Sequence, residues 1–318
     1  MTRLSITPPY DYLLHRDACS YGYFILRPNH WDPETHTLSR TLDLDRTPVN
    51  ITITQPSDSP GSRLAVRTDR TLTTDHRKLA RAQITRMLHL TGAGSAEAVA
   101  DFHRADPRFK PSGRGRLFRS PTLFEDIIKT VTSCNVAWPS TITMNRRLCE
   151  VINPAFPRPT QLARRQPHTL RARCRVGYRD QRIVQLAKLA NQRASIIHPS
   201  TEHNLTDPAV PDAEILKQLQ TLPGIGPYAA ANILQLLGRY THLPIDTETH
   251  RHARTVLAFN EAGNALSKRI EAHYRPLGPN RFRSYWFELW THYESKRGPA
   301  HTWERDTTGA TFTASALK

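Results

Sequence analysis

The sequence predicts an α+β protein, with an N-terminal antiparallel β-sheet domain followed by an all-helical region. Two observations carry this reading. Segments rich in β-branched and aromatic residues alternate with turn signals up to about Asp69, and from His76 onward apolar residues recur at helical spacing. At 318 residues the chain can form one large domain or two ordinary ones, either with a sizeable apolar core. The expected boundaries are 1–75 for the β-domain, 76–298 for the helical region, and 299–318 for a loose tail with little to pack.

In the first region "YGYFIL", "LSRTLDL", "VNITI" and "RLAVR" read as strands separated by the turn-rich "RPNHWDPET" and "QPSDSPGS". A sheet of four or five strands follows. In the second region "SPTLFEDIIKTV" opens with a cap at Ser120, Pro121 at the first helical position and acids in the first turn. Further helices are expected at "HRKLARAQITRMLHL", "SAEAVADFH", "STITMNRRLCEVI", "YRDQRIVQLAKLA", "AEILKQLQTL", "PYAAANILQLL", "ETHRHARTVLA", "LSKRIEAHY" and "FRSYWFELWTHYESK".

A net charge of +16 points to a polyanionic partner, and nucleic acid is the first candidate. No apolar run approaches the roughly 20 residues that span a bilayer. The N-terminus also lacks a secretory pattern, so an intracellular protein is expected. Cys19, Cys134, Cys149 and Cys174 stand far apart with no C-x-x-C pair, which supports neither a zinc ribbon nor a cluster-binding run.

The most informative stretch is "LPGIGPYAAANILQLLG", Leu222 to Gly238. Gly224 and Gly226 permit a tight turn around Ile225, and Pro227 suits the first position of a restarting helix. Amides at such a helix start suit a phosphate, contacted without regard to base sequence. Taken alone, these features also fit an ordinary corner between two helices.

Together with the following "LPID", this stretch resembles the helix-hairpin-helix DNA glycosylase superfamily. Within it, "SPTLFEDIIKTVTSCNVAW" and "VGYRDQRIVQLAKLA" look like segments of the branch with 3-methyladenine and 8-oxoguanine glycosylases. "PPYDY" and "CSYGYFILRPNHW" fall where that branch has its extra β-domain. The resemblance covers nearly the whole chain up to about Gly298. It implies a helix-hairpin-helix glycosylase core over 76–298 and a hydrolase acting on N-glycosyl bonds of damaged bases in double-stranded DNA. A monomer is expected, in the bacterial cytoplasm and nucleoid or the eukaryotic nucleus.

By match to the family motif, Asp246 is the catalytic candidate. Removing a base builds positive charge on the sugar, which a nearby carboxylate stabilises while orienting water. Asp246 is equally a good N-cap for "TETHRHAR", and the two roles are compatible. Bifunctional relatives carry a lysine nucleophile two residues after the second hairpin glycine, where this chain has Tyr228. A monofunctional enzyme without lyase activity is implied. No iron–sulfur cluster is implied either, while the hairpin carbonyls leave room for a monovalent cation.

The family places polar residues of the loop after "FED" near the gap left by a flipped base. Here that loop offers Ser133 and Asn135, although Asn135 could equally cap the next helix. Tyr228, Trp138 and the backbone near Gly22 are the base-pocket candidates, the other aromatics of "CSYGYF" and "SYWFELW" reading mainly as core. Of His250 and His252, two apart on a helix and so unable to share a metal, one reaches solvent or phosphate and His250 is taken as a DNA contact. Arg114, Arg116, Arg119, Arg175 and Arg179 are weaker phosphate candidates, and no metal site is expected. An aromatic pocket favours an alkylated, cationic purine. A glycosylase for oxidised purine and a non-catalytic helix-hairpin-helix DNA-binding protein are the alternatives.

Overall fold

In the computed structural model, which describes residues 1–308 and 311, five antiparallel strands lie in the order β1-β5-β4-β3-β2. They are β1 Arg3–Ile6, β2 His30–Asp32, β3 Thr37–Leu44, β4 Thr47–Thr54 and β5 Leu64–Thr68. Asp45 and Arg46 join β3 to β4 with φ of 48° and 67°, and two central residues at positive φ give the turn whose twist matches its strands. Register pairs Leu42 with Val49 and Ile53 with Val66. Alternation along β3 buries Leu38, Arg40, Leu42 and Leu44 on one face.

The strand expected at "YGYFIL" is instead a 3-10 turn, Gly22–Ile25. Tyr23, Phe24, Ile25 and Leu26 are all buried, so no solvent-facing alternation holds this segment in a sheet. The sequence reading also missed β1 and β2, the two edge strands. Only three residues long, β2 is pinned by Trp31, which is 3 % exposed and sits inside what reads as a turn.

Helices follow at Thr74–Met87, Ala96–Ala105, Leu123–Ser133, Trp138–Val151, Pro167–Cys174 and Asp180–Ala190. The series continues with Asp212–Gln220, Pro227–Leu236, Thr247–Thr255, Gly263–Tyr274 and Arg281–Arg297. The helix expected to start at Ser120 begins later. Thr122 caps it by accepting the Glu125 N–H at 3.3 Å, while Ser120 N–H donates to Asp126 at 2.8 Å and keeps Pro121 outside. No helix among the described residues is long and apolar enough to cross a membrane.

Among the described residues two apolar cores form. One joins the sheet to the helices Thr74–Met87 and Arg281–Arg297 through Leu42, Ile53, Ile84 and Phe282. The other lies among the helices between Leu123 and Leu237. The segment after Gly298, expected to be loose, packs at its start: Ala300 and Trp303 are buried, and the Trp303 indole donates to the Gly298 carbonyl at 2.9 Å. The rest of that expectation falls partly on residues 309, 310 and 312–318, outside the described residues.

A buried ionic group ties the sheet to the helix Leu123–Ser133. Glu125 takes Arg40 Nη2 at 3.0 Å and Lys129 Nζ at 2.7 Å, and Arg40 Nη1 also donates to Asn29 Oδ1 at 2.9 Å. Burial alone would raise the Glu125 carboxyl, yet the two cations hold it below its ordinary value. Glu125→Gln leaves two cations facing each other in the interior, and it should destabilise the protein by about 3–5 kcal/mol in urea unfolding. Because the folded-state value is depressed, Glu125's contribution is present above the unfolded value of about 4.3 and is lost as pH falls through the lower folded value. The gap between wild type and Glu125→Gln should therefore close on acidification; a gap independent of pH would remove the ionised carboxylate from the explanation.

Candidate active site

Between the helices Asp212–Gln220 and Pro227–Leu236 the chain turns through Gly224 at φ 76°, a conformation that favours glycine. A Cβ there would also lie 2.4 Å from Arg182 Cδ. Gly226 differs: it caps the second helix at φ −89°, and a Cβ on it would meet nothing within 4 Å. Buried Ile225, at 4 % exposure, anchors the turn while both glycines face solvent. Among the described residues the Gly224 and Gly226 N–H groups donate to no protein acceptor, so the turn presents free amides at a helix start. That geometry suits an anion.

Beside this helix start lies a cavity of about 550 Å³. Its wall includes Gly22, Trp138, Tyr228, Ser133 and Asp246. A Cβ on Gly22 would approach the Trp138 ring to 3.1 Å, so the bare glycine lets the indole lie against it. The buried Trp138 Nε1–H has no protein acceptor. Tyr21, Tyr23, Phe24, Tyr285, Trp286 and Trp290, read from sequence mainly as core, also face the cavity; all are buried except Trp286, which is partly so. They pack against one another, with Tyr21 and Trp286 centroids 4.7 Å apart and Trp286 and Trp290 5.4 Å apart. Trp303 was missed altogether; it lines the cavity and packs at a tilt against Trp290, with ring centroids 5.3 Å apart.

Asp246 caps the helix Thr247–Thr255. Its Oδ1 accepts the Thr249 N–H at 2.8 Å and lies 3.0 Å from the Thr249 hydroxyl, and Thr249 in turn lies 3.0 Å from the Tyr285 hydroxyl. All these capping contacts fall on Oδ1, so the cap does not consume the second oxygen. Burial raises the carboxyl above its ordinary value, opposed by hydrogen bonds from Thr249 and Tyr228. Burial and the Asp246 charge likewise push the Tyr228 phenol up, so it stays protonated at neutral pH. Glu248 also lines the cavity, but its carboxylate is taken by Arg251 at 2.9 Å and by the Tyr293 hydroxyl.

Asn135 is exposed at φ 51° in the loop after Ser133. The next helix is capped at Ala137 without a side chain, so Asn135 does not cap it. Ser133 Oγ donates back to the Thr130 carbonyl at 2.8 Å. Arg179, read as a phosphate contact, is buried and holds this loop from below, donating to the Val131 carbonyl at 3.0 Å and to that of Cys134.

Three other arginines are also structural, because carbonyls and carboxylates already take their donors. Arg116 is fully buried on Asp11, Arg119 donates to the Arg86 and Leu236 carbonyls, and Arg114 pairs with Glu294. Arg175 remains exposed, and Arg182, which the sequence did not single out, is exposed against Gly224. His250 Nε2 lies 2.9 Å from Ser267 Oγ, while buried His252 bonds Glu288 at 2.8 Å.

No family model matches the sequence, and no curated protein matches it. Solved structures do match, and their fold is that of DNA glycosylases. The 3-methyladenine DNA glycosylase from Archaeoglobus fulgidus matches with a TM-score of 0.63 and 14% identity, over 91% of this chain and 98% of that one. The apo form of Clostridium acetobutylicum 8-oxoguanine glycosylase/lyase gives 0.64 at 15%, over 91% and 96%. The same enzyme in complex with double-stranded DNA containing cytosine opposite 8-oxoG gives 0.62 at 14%, over 93% and 99%. At these identities the likeness establishes the fold, which this chain shares along nearly its whole length.

The two hairpin glycines should separate in a stability measurement. Gly224→Ala forces a side chain into the left-handed region and should destabilise by about 1–2 kcal/mol. Gly226→Ala strains no backbone and should cost less, about 0.5 kcal/mol or slightly more, because alanine is a poorer helix cap than glycine. Equal losses in chemical denaturation would contradict the turn geometry.

Proposed function

We propose that the protein is a monofunctional DNA glycosylase, hydrolysing the N-glycosidic bond of a flipped-out damaged purine in duplex DNA, with alkylated, cationic purines as its substrates. The chemistry of the cavity wall carries this reading: aromatic faces and the acids Asp246 and Glu248, with no Lys, Arg or His among its described lining residues. Aromatic faces attract a cationic base, whereas a positive wall would repel it. The fold shared with glycosylases supports the reading.

Flipping a base out of the stack costs a few kcal/mol, recovered by stacking in the pocket and filling the gap. Asn135, exposed at the loop apex, is the proposed filler, and the Gly224 and Gly226 amides with Arg182 the proposed phosphate grip. Trp138 Nε1–H supplies a donor to the base edge. A cationic purine leaves without a general acid, so the chemistry reduces to stabilising charge on the sugar and orienting water. Asp246 does both. A protonated Tyr228 phenol forms no imine with the sugar, so the strand stays intact after base release. A purely DNA-binding protein needs neither the cavity nor a partly buried carboxylate beside it.

Asn caps a helix as well as Asp does, and burial disfavours the Asp246 charge. Asp246→Asn should therefore fold with undiminished thermal stability while single-turnover excision falls at least about a hundredfold. Excision close to the wild-type rate in that variant would eliminate Asp246 from the mechanism.

The acid limb of wild-type excision should lie above the ordinary aspartate value of about 3.9, because the ionised form acts and burial raises its titration. Borohydride should trap no covalent protein–DNA complex during turnover. Strong trapping by wild-type protein, with the N-terminal amine blocked, would show that the water mechanism is wrong.

A further inference from the structure

A second group of functional side chains lies outside the cavity and shares none of its residues. His15 comes from the short helix Leu14–Ala18, His36 from the turn between β2 and β3 at φ 48°, and Asp58 from the loop between β4 and β5. Each offers one ligand atom, and these atoms lie within 4.8 Å of one another. His301, from the segment after Gly298, closes the group, its ring centroid 5.0 Å from that of His15 and 5.3 Å from that of His36. Among the described residues, none of the four side chains makes a hydrogen bond or ion pair. Four chain segments thus converge on polar groups that do not satisfy one another.

We propose that His15, His36 and Asp58 bind a divalent transition-metal ion, zinc by ligand type, with His301 as the fourth ligand. Two or three imidazoles and a carboxylate suit zinc and its late first-row neighbours, whereas calcium and magnesium take oxygen donors. Tetrahedral zinc with ligands at about 2.1 Å needs donors about 3.4 Å apart. Donors already within 4.8 Å reach that spacing by side-chain rotation, and Asp58 is exposed and free to turn. Access is open as well, since His15 and His301 line a separate cavity of about 290 Å³.

The site would act as a staple. His36 and Asp58 lie in connections between strands of the sheet, while His301 lies two residues before Trp303, which lines the large cavity. One anchor between these parts already exists, because the Trp31 indole donates to the His301 carbonyl at 2.7 Å. The metal adds a second at the same point. This inference stands on its own geometry and holds whatever the large cavity does.

The test uses the full chain without a histidine tag, stripped with a chelator and titrated with Zn²⁺ by calorimetry and with Co²⁺ by visible absorption. Wild type should bind one ion per chain, show the intense visible bands of a tetrahedral cobalt site, and melt at a higher temperature with Zn²⁺. His15→Ala and His36→Asn should each weaken binding at least about tenfold, Asn being tolerated at the left-handed backbone of His36. The exposed His203→Ala should leave binding unchanged. Absence of stoichiometric binding by wild type, or wild-type affinity in a folded His15→Ala/His36→Asn double variant, would overturn the assignment.

Discussion

The Glu125 carboxylate, clasped by Arg40 from the sheet and Lys129 one turn along its own helix, fixes where the sheet meets the helices. The cavity depends on that junction. The helix Leu123–Ser133 carries Thr130, which the Tyr23 hydroxyl meets at 3.0 Å, and its end delivers Ser133 and the Asn135 loop. One face of the cavity therefore hangs from the sheet-side 3-10 turn and the other from this helix. A shift in the ionic contact would move both walls relative to each other. Buried ion pairs are weak sources of net stability, but removing one partner strands an uncompensated charge in the interior, so the three groups stand or fall together.

Arginine plays a comparable role elsewhere. Arg179 spends its donors on carbonyls of the Val131–Cys134 segment, Arg119 on carbonyls of two helices, and Arg116 on Asp11 and the Gly94 carbonyl at 2.6 Å. Loops whose backbone acceptors lie indoors need donors to follow them there. The high positive charge thus divides between a solvent-facing set, such as Arg175 and Arg182, and a set that organises irregular backbone. Sequence cannot separate these sets, because the deciding carbonyls lie far away along the chain.

The same distinction between local and distant causes explains what was legible. The hairpin could be read because glycine, proline and small-residue spacing act within a few residues; so could the capping by Asp246. The "YGYFIL" segment was misread because its aromatics are buried on every side by partners such as Trp286, some 260 residues away, and not by a sheet of its own. Trp303 gave no signal in a polar stretch, and its burial rests on Trp290 and the end of the helix Arg281–Arg297. The grouping of His15, His36, Asp58 and His301 draws on four segments with no motif spacing, so only the fold brings it together.

At Asp246, capping and the proposed chemistry are compatible roles. A carboxylate that must face developing charge gains most when it cannot rotate away and when water does not screen it. Capping through Oδ1 fixes its direction, and Thr249, itself beside Tyr285, fixes the cap. Burial raises the carboxyl, which favours protonation; Thr249 and Tyr228 oppose this by stabilising the ionised form. In the proposed reaction the low-dielectric wall that makes the charge harder to hold also strengthens its attraction for the sugar cation. A more exposed aspartate would ionise more readily and attract the cation less, so the helix start has to hold the charge at the edge of the aromatic cavity.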